Sequence, residues 1–190
     1  MINRILSKKI TDMAKVFPVI TLTGPRQSGK TTLIRHLFKE YEYVNLENLN
    51  DLHAVQDDPL RFLNAFLSKG LIVDEAQKFP DLFSYLQGVV DASGLMGKFI
   101  LTGSQNFLLL EKISQSLAGR VAVLHLMPFG LPELIQAKAA LKTLDEILFN
   151  GFYPVLYDRP IQPVDYYPSY IQTYIERDVR SIKKAVLSEF

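Results

Sequence analysis

Thr23-Gly24-Pro25-Arg26-Gln27-Ser28-Gly29-Lys30-Thr31-Thr32 is the stretch on which the reading of this chain turns. From Gly24 to Thr31 it fits the spacing G-x-x-x-x-G-K-[ST] in full, and each fixed position has a physical reason. Gly24 and Gly29 allow backbone angles and close approaches that a Cβ would block. The main-chain N–H groups through Pro25, Arg26, Gln27, Ser28 and Thr32 can then turn inward as a cradle for phosphate oxygens, Pro25 itself contributing shape only. A helix starting near Gly29 adds its positive end. Lys30 is placed to reach the β- and γ-phosphates, and the Thr31 hydroxyl to coordinate Mg²⁺. Arg26 either meets phosphate or a partner, or stands in solvent.

Working outward, the apolar strand Val19–Thr23 leads into this loop and an amphipathic helix, with Leu33, Ile34, Leu37 and Phe38, leaves it. The alternation continues. Strands are expected at Val19–Thr23, Tyr43–Leu46, Leu71–Asp74, Phe99–Thr102 and Val121–Leu126. Helices are expected at about Asn3–Val16, Gly29–Lys39, Pro59–Ser68, Asp81–Ala92 and Phe107–Gln115. Short runs, several apolar throughout, separated by helical stretches predict a parallel sheet covered on both faces. The fold class is therefore α/β: a P-loop NTPase core with a five-stranded, mostly parallel sheet. Past Met127 the texture changes, and Pro128, Gly130 and Pro132 mark a turn. Helices are expected at about Leu131–Ala140 and Leu144–Phe149, an aromatic loop at Gly151–Pro168, and a last helix at about Ser169–Leu187. This divides the chain into a core, 1–127, and a helical appendage with the start of a further region, 128–190.

Composition narrows the function classes. With 190 residues, 48% apolar and 22% charged, the chain can build a real core. It has no cysteine, which excludes disulfides, thiolate metal sites and a cysteine nucleophile. A net charge of +1 gives no reason to expect a polyanion such as nucleic acid. No apolar run is long enough for a membrane helix, and charges interrupt the N-terminus where a signal peptide would be apolar. A cytoplasmic location is expected.

Three further points carry candidate chemistry. Leu71-Ile72-Val73-Asp74-Glu75 ends a buried strand in two carboxylates, at the edge where open α/β sheets bind ligands. Asp74 suits Mg²⁺, held through water, and Glu75 suits activation of the attacking water. The alternative is an acidic cap for the next helix. Phe99-Ile100-Leu101-Thr102-Gly103-Ser104-Gln105 ends another strand in small polar groups. Thr102 and Ser104, and less readily Gln105, are candidates for a sensor beside the γ-phosphate, or for a plain turn. Arg120, just before the fifth strand, is a candidate arginine finger in cis or toward a neighbour, or a surface arginine paired with a carboxylate.

Together these residues resemble the prokaryotic AAA-type ATPases whose core is joined to a C-terminal nuclease-like domain of unknown function. The resemblance runs through Thr23–Leu33, Val73-Asp74-Glu75-Ala76-Gln77, Leu101–Ser104, Leu117-Ala118-Gly119-Arg120-Val121, Pro128–Leu134 and Tyr174–Arg180. It departs at Asn150-Gly151-Phe152-Tyr153-Pro154, where the family often shows Gly-Gly-aromatic-Pro. It implies a longer protein, with the C-terminal domain beginning about where this chain stops, at Phe190. ATP as the nucleotide, and ring-like self-association, are implied by the resemblance alone. The expected function is Mg²⁺-dependent ATP hydrolysis driving a molecular switch. The alternatives are a nucleotide-dependent binding module with negligible hydrolysis and a small-molecule kinase, against which Glu75 argues. No Asn-Lys-x-Asp segment supports guanine.

Other features have ordinary readings. His36, His53 and His125 lack metal-ligand spacing. The aromatic residues Phe152, Tyr153, Tyr157, Tyr166, Tyr167, Tyr170 and Tyr174 are expected to pack rather than stack bases. In the last helix Ile171, Ile175, Val179, Ile182 and Val186 form an apolar stripe, with Arg177, Arg180, Lys183 and Lys184 on other faces.

Overall fold

The computed structural model describes residues 2–104, 116–139 and 143–175. The chain divides into two compact units, Met1–Met127 and Pro128–Phe190. In the first, β1 (Val19–Thr23), β2 (Glu42–Asn45), β3 (Leu71–Asp74), β4 (Phe99–Thr102) and β5 (Val121–His125) form one sheet in the order β2-β3-β4-β1-β5. Every pairing is parallel. The helices of this unit are α1 (Leu6–Met13), α2 (Lys30–Leu37), α3 (Leu49–Asp57), α4 (Pro59–Ala65) and α5 (Leu82–Ser93).

The alternation of side chains along a strand sorts the core into two layers. Val19, Leu71, Val73, Phe99 and Leu101 pack with Val55, Leu63, Phe83, Leu86 and Val90 from α3, α4 and α5. Ile20, Leu22, Ile72, Ile100 and Leu124 face the other way, against Ile10 of α1 and Leu33 and Ile34 of α2. Both faces are covered, which is why the central strands read as unbroken apolar runs. Because all strands run one way, Thr23, Asp74, Thr102 and His125 end at one edge of the sheet.

Three expected strands keep their bounds; β2 begins and ends one residue earlier than expected, and β5 ends one residue earlier. Helix α3 was not legible in the sequence. It has one fully buried residue, Val55, and rests on its cap: the Asn48 side chain accepts from the Asn50 N–H. Expected helix Phe107–Gln115 and Gln105 lie outside the described residues, as do Arg177, Val179, Arg180, Ile182, Lys183, Lys184 and Val186.

The second unit holds α6 (Leu131–Gln136), α7 (Leu144–Asn150), α8 (Val155–Asp158) and α9 (Pro163–Tyr170), followed by a π-type turn at Ile171–Ile175. The loop expected at Gly151–Pro168 is thus corrected: two helices occupy most of it. Pro163 sits at the first helical positions of α9, where its missing N–H costs nothing. Pro168 falls within the same helix, and the widened turn follows directly. Tyr153, Tyr166, Tyr167 and Tyr170 pack ring against ring, with centroids 4.9 to 6.3 Å apart. Two tyrosine hydroxyls bond main-chain carbonyls: Tyr157 to Gly151 at 2.6 Å and Tyr167 to Asn150 at 2.8 Å. Among the described residues no helix is long and apolar enough to cross a membrane.

Candidate functional site

The loop between β1 and α2 is built on glycine. Gly24 has φ +147°, and a Cβ there would lie 2.1 Å from the Leu126 carbonyl oxygen, so no other residue fits. Gly29 caps α2 at φ 91° and ψ 22°, in left-handed space. Gln27 shares that region at φ 60°, an uncommon state for a side chain. Lys30 is buried, 7% exposed, and its Nζ donates to the carbonyls of Gly24 at 3.0 Å and Pro25 at 2.9 Å. Burial pulls its pKa below the ordinary lysine value, opposed by the carboxylates of Glu75 and Asp74. The Ser28 hydroxyl is fully buried and has no hydrogen-bond partner among the described residues.

Opposite the loop, Asp74 ends β3 with its carboxylate enclosed. Oδ2 accepts from Thr31 Oγ1 at 2.6 Å and from the Tyr43 hydroxyl at 2.9 Å. Oδ1 accepts from Thr102 Oγ1 and from the Glu75 N–H. Three hydroxyls and one amide from α2, β2, β4 and the β3 end therefore fix one anion. Burial, then the Asp74 charge, pushes the Tyr43 hydroxyl well above its ordinary value, so it stays a donor. The Arg35 guanidinium lies 4.7 Å over the Tyr43 ring.

Glu75 is the next residue, and its backbone is held at φ 54° and ψ 43°. A non-glycine residue pays for that conformation, and such outliers cluster at functional sites. Gln77 Nε2 donates to Glu75 Oε2 and also, at 3.3 Å, to the Ser104 hydroxyl. Burial raises the Glu75 carboxyl above the usual range; the Gln77 bond works the other way, and Asp74 and Glu47 add to the rise.

The described structure thus brings together Lys30, Thr31, Asp74, Thr102, Glu75 and Ser104. It does not bring Arg120 to them. The Arg120 carbonyl accepts from Val19 N–H, at the amino end of β1. A five-residue strand, about 16 Å at the usual rise, separates that end from the loop. The Arg120 guanidinium instead grips Asp91 through both oxygens, at 2.5 and 2.8 Å. The finger in cis is therefore corrected to a surface ion pair. Sequence reasoning missed Tyr43, Gln77 and Arg4. Gln77 had a local signal, two residues beyond Glu75. Tyr43 needed the strand order β2-β3, which puts it beside Asp74. Arg4 showed only as a cation in a stretch whose burial the sequence did not reveal.

The donor set suits a Mg²⁺-bound triphosphate. One hydroxyl and one carboxylate, Thr31 and Asp74, match a cation that takes few protein ligands beside phosphate oxygens and water. Among the described residues no group of three or more His, Cys, Asp or Glu side chains could hold a metal by itself.

The comparisons with known proteins agree with the fold. A family model described as an AAA domain matches residues 16–135. Uncharacterised proteins of Mycobacterium bovis and Mycobacterium tuberculosis are each 33% identical over 168 residues, which is 87% of this chain. The chain spans about 37% of the length of these curated relatives. Among solved structures, a Walker-type ATPase of Pyrococcus abyssi aligns over 100% of this chain and 74% of its own, with TM-score 0.58 and 18% identity. The AMPPCP-bound DnaA of Aquifex aeolicus aligns over 96% of this chain and 66% of its own, with TM-score 0.57 and 15% identity. At these identities the likeness establishes the α/β P-loop fold.

Proposed function

The chain belongs to this AAA domain family, with the fold of P-loop ATPases, and from that premise we propose that it binds ATP with Mg²⁺ and hydrolyses it as a molecular switch. The observation that carries the reading is the meeting of Lys30, Thr31 and Asp74 at one edge of the sheet, beside a strained, buried Glu75.

On this reading, main-chain amides from Gly24 to Thr32 hold the phosphates, and Lys30 leaves the loop carbonyls to meet the β- and γ-oxygens. The buried Ser28 hydroxyl has its bonding capacity to spare. Thr31 would hold Mg²⁺ directly, Asp74 would orient that hydroxyl and hold the cation through water, and Mg²⁺ would supply neutralisation of charge on the phosphates. Glu75 accepts a proton from water as the water oxygen bonds to the γ-phosphorus. The bond from that phosphorus to the bridging oxygen then breaks, and ADP leaves with both electrons. Gln77 orients Glu75, and Thr102 holds Asp74 while Ser104 senses the γ-phosphate side through Gln77.

Arg120 favours a second reading for the isolated chain. With Arg120 held by Asp91 away from the site, turnover would stay slow until a partner supplied a finger, since a finger contributes 10³–10⁵ in rate. Arg120 would serve a neighbouring copy only if Asp91 released it.

Single-turnover phosphate release tests the proposal. Wild type should release phosphate from ATP with Mg²⁺. Glu75→Gln should bind fluorescent ATP unchanged and release phosphate on the order of 10²–10⁴-fold more slowly. Equal release rates in the two proteins would refute the role of Glu75.

A further inference from the structure

Arg4 precedes α1 and is 8% exposed, a buried cation. Its Nη1 donates to the Ser28 carbonyl at 2.9 Å, and its Nη2 donates to the Met127 carbonyl at 2.5 Å. Ser28 belongs to the late half of the phosphate loop. Met127 follows Leu126, whose carbonyl presses on Gly24 in the early half and whose N–H donates to Thr23 at 2.8 Å. One planar fork therefore ties together the two stretches that bound the loop.

The Ser28 carbonyl shares a peptide unit with the Gly29 N–H. That unit is trans, because the described chain has no cis peptide bond. In a planar trans peptide the C=O and N–H point in opposite directions. Whatever holds the Ser28 oxygen also aims the Gly29 hydrogen. We infer that Arg4 is a positioning residue for nucleotide binding: by pinning the Ser28 carbonyl against the end of β5, it turns the Gly29 amide into the phosphate cradle. This rests on the reading of the loop as a triphosphate site. It also makes the segment before α1 a part of that site, so that displacing this segment would loosen the grip on nucleotide.

The choice of an arginine follows from the geometry. Two carbonyls at different places in the chain must be held at once, and a guanidinium offers five donors in a rigid plane. A lysine ammonium can hold either carbonyl, but it lacks the fork that fixes both.

The test uses the full chain with Mg²⁺, titrated calorimetrically with ATP and with ADP, in wild type, Arg4→Met and Arg4→Lys. Circular dichroism at the titration temperature verifies folding. The backbone amide resonance of Gly29 is followed by NMR without nucleotide. Arg4→Met should weaken ATP and ADP alike, about tenfold, or about 1.4 kcal/mol. Arg4→Lys should recover part of that loss. The Gly29 amide should shift in both variants. A merely structural role would lower thermal stability yet leave the affinity of the folded variant and the Gly29 resonance in place. Wild-type affinity with an unmoved Gly29 amide in folded Arg4→Met overturns the inference. If Arg4→Met does not fold, the same result in Arg4→Lys overturns it. Failure of wild type to bind either nucleotide would remove the phosphate reading instead, while the Gly29 resonance still reports whether Arg4 sets that amide.

Discussion

The two ends of one parallel sheet carry the same kinds of charged side chain and treat them in opposite ways. At the carboxyl end, Asp74 is enclosed by donors from Thr31, Tyr43, Thr102 and the Glu75 amide, and burial raises the neighbouring Glu75 carboxyl. At the amino end, Asp91 meets Arg120 in solvent, and that bond holds Asp91 below the usual carboxylate range. The first arrangement spends desolvation and backbone strain on placing reactive groups. The second is an exposed ion pair of the kind that contributes little to stability. Burial and convergence of donors, more than residue type, separate a candidate site from surface charge.

Substitutions can break this contrast, and the largest effect is expected at Asp74. Asp74→Ala leaves three hydroxyls without their shared acceptor and removes the group that orients Thr31. Turnover should fall on the order of a hundredfold, with a matching rise in the Mg²⁺ concentration needed. Phosphate release titrated against Mg²⁺ reads both.

Next is the pH dependence of Glu75. Its folded carboxyl takes up a proton more readily than the ordinary value of 4.5 would allow. As a base it must be ionised, so the acidic limb of kcat should lie above that value. Between the ordinary and the raised values the folded state binds more protons than the unfolded one, so Glu75 makes stability fall as pH rises through that window. Glu75→Gln should remove this fall and melt higher than wild type at neutral pH. Thermal melts of both proteins across pH check it, and parallel curves would contradict the burial of Glu75.

A smaller effect belongs to Tyr43. Tyr43→Phe deletes one donor to Asp74 Oδ2 and leaves the ring under Arg35. A loss of roughly tenfold in Mg²⁺ affinity, with ATP binding in the absence of metal unchanged, is expected from a group acting behind a metal ligand. Competition between Mg²⁺ and a fluorescent metal indicator measures it.

The smallest effect is expected at the other end. Arg120→Ala should barely change the melting temperature, and should leave ATP affinity and the turnover of dilute protein unaltered. A fall in turnover that appears only as protein concentration rises would sharpen the comparison by making Arg120 a donor to a neighbouring copy.

Much of this architecture was readable in advance, for physical reasons. Strands buried on both faces leave unbroken apolar runs, so Val19–Thr23, Leu71–Asp74 and Phe99–Thr102 stood out with their bounds. The loop was legible because phosphate binding constrains glycine spacing locally. Helix α3 was hidden because a cap rather than an apolar face defines it. Tyr43 and Arg4 were hidden because their partners are 31, 24 and 123 residues away, distances that only folding closes. Arg120 was misplaced because nearness in sequence to a strand says nothing of which end of the sheet it occupies until the strand's direction is considered.

Calorimetric titration of ATP with Mg²⁺ into wild type and Lys30→Ala tests the central claim most directly. Wild type should show saturable one-to-one binding and a folded Lys30→Ala none detectable, because the buried ammonium over Gly24 and Pro25 is the cation placed to meet the β- and γ-phosphates. Equal affinity in the two proteins would contradict it.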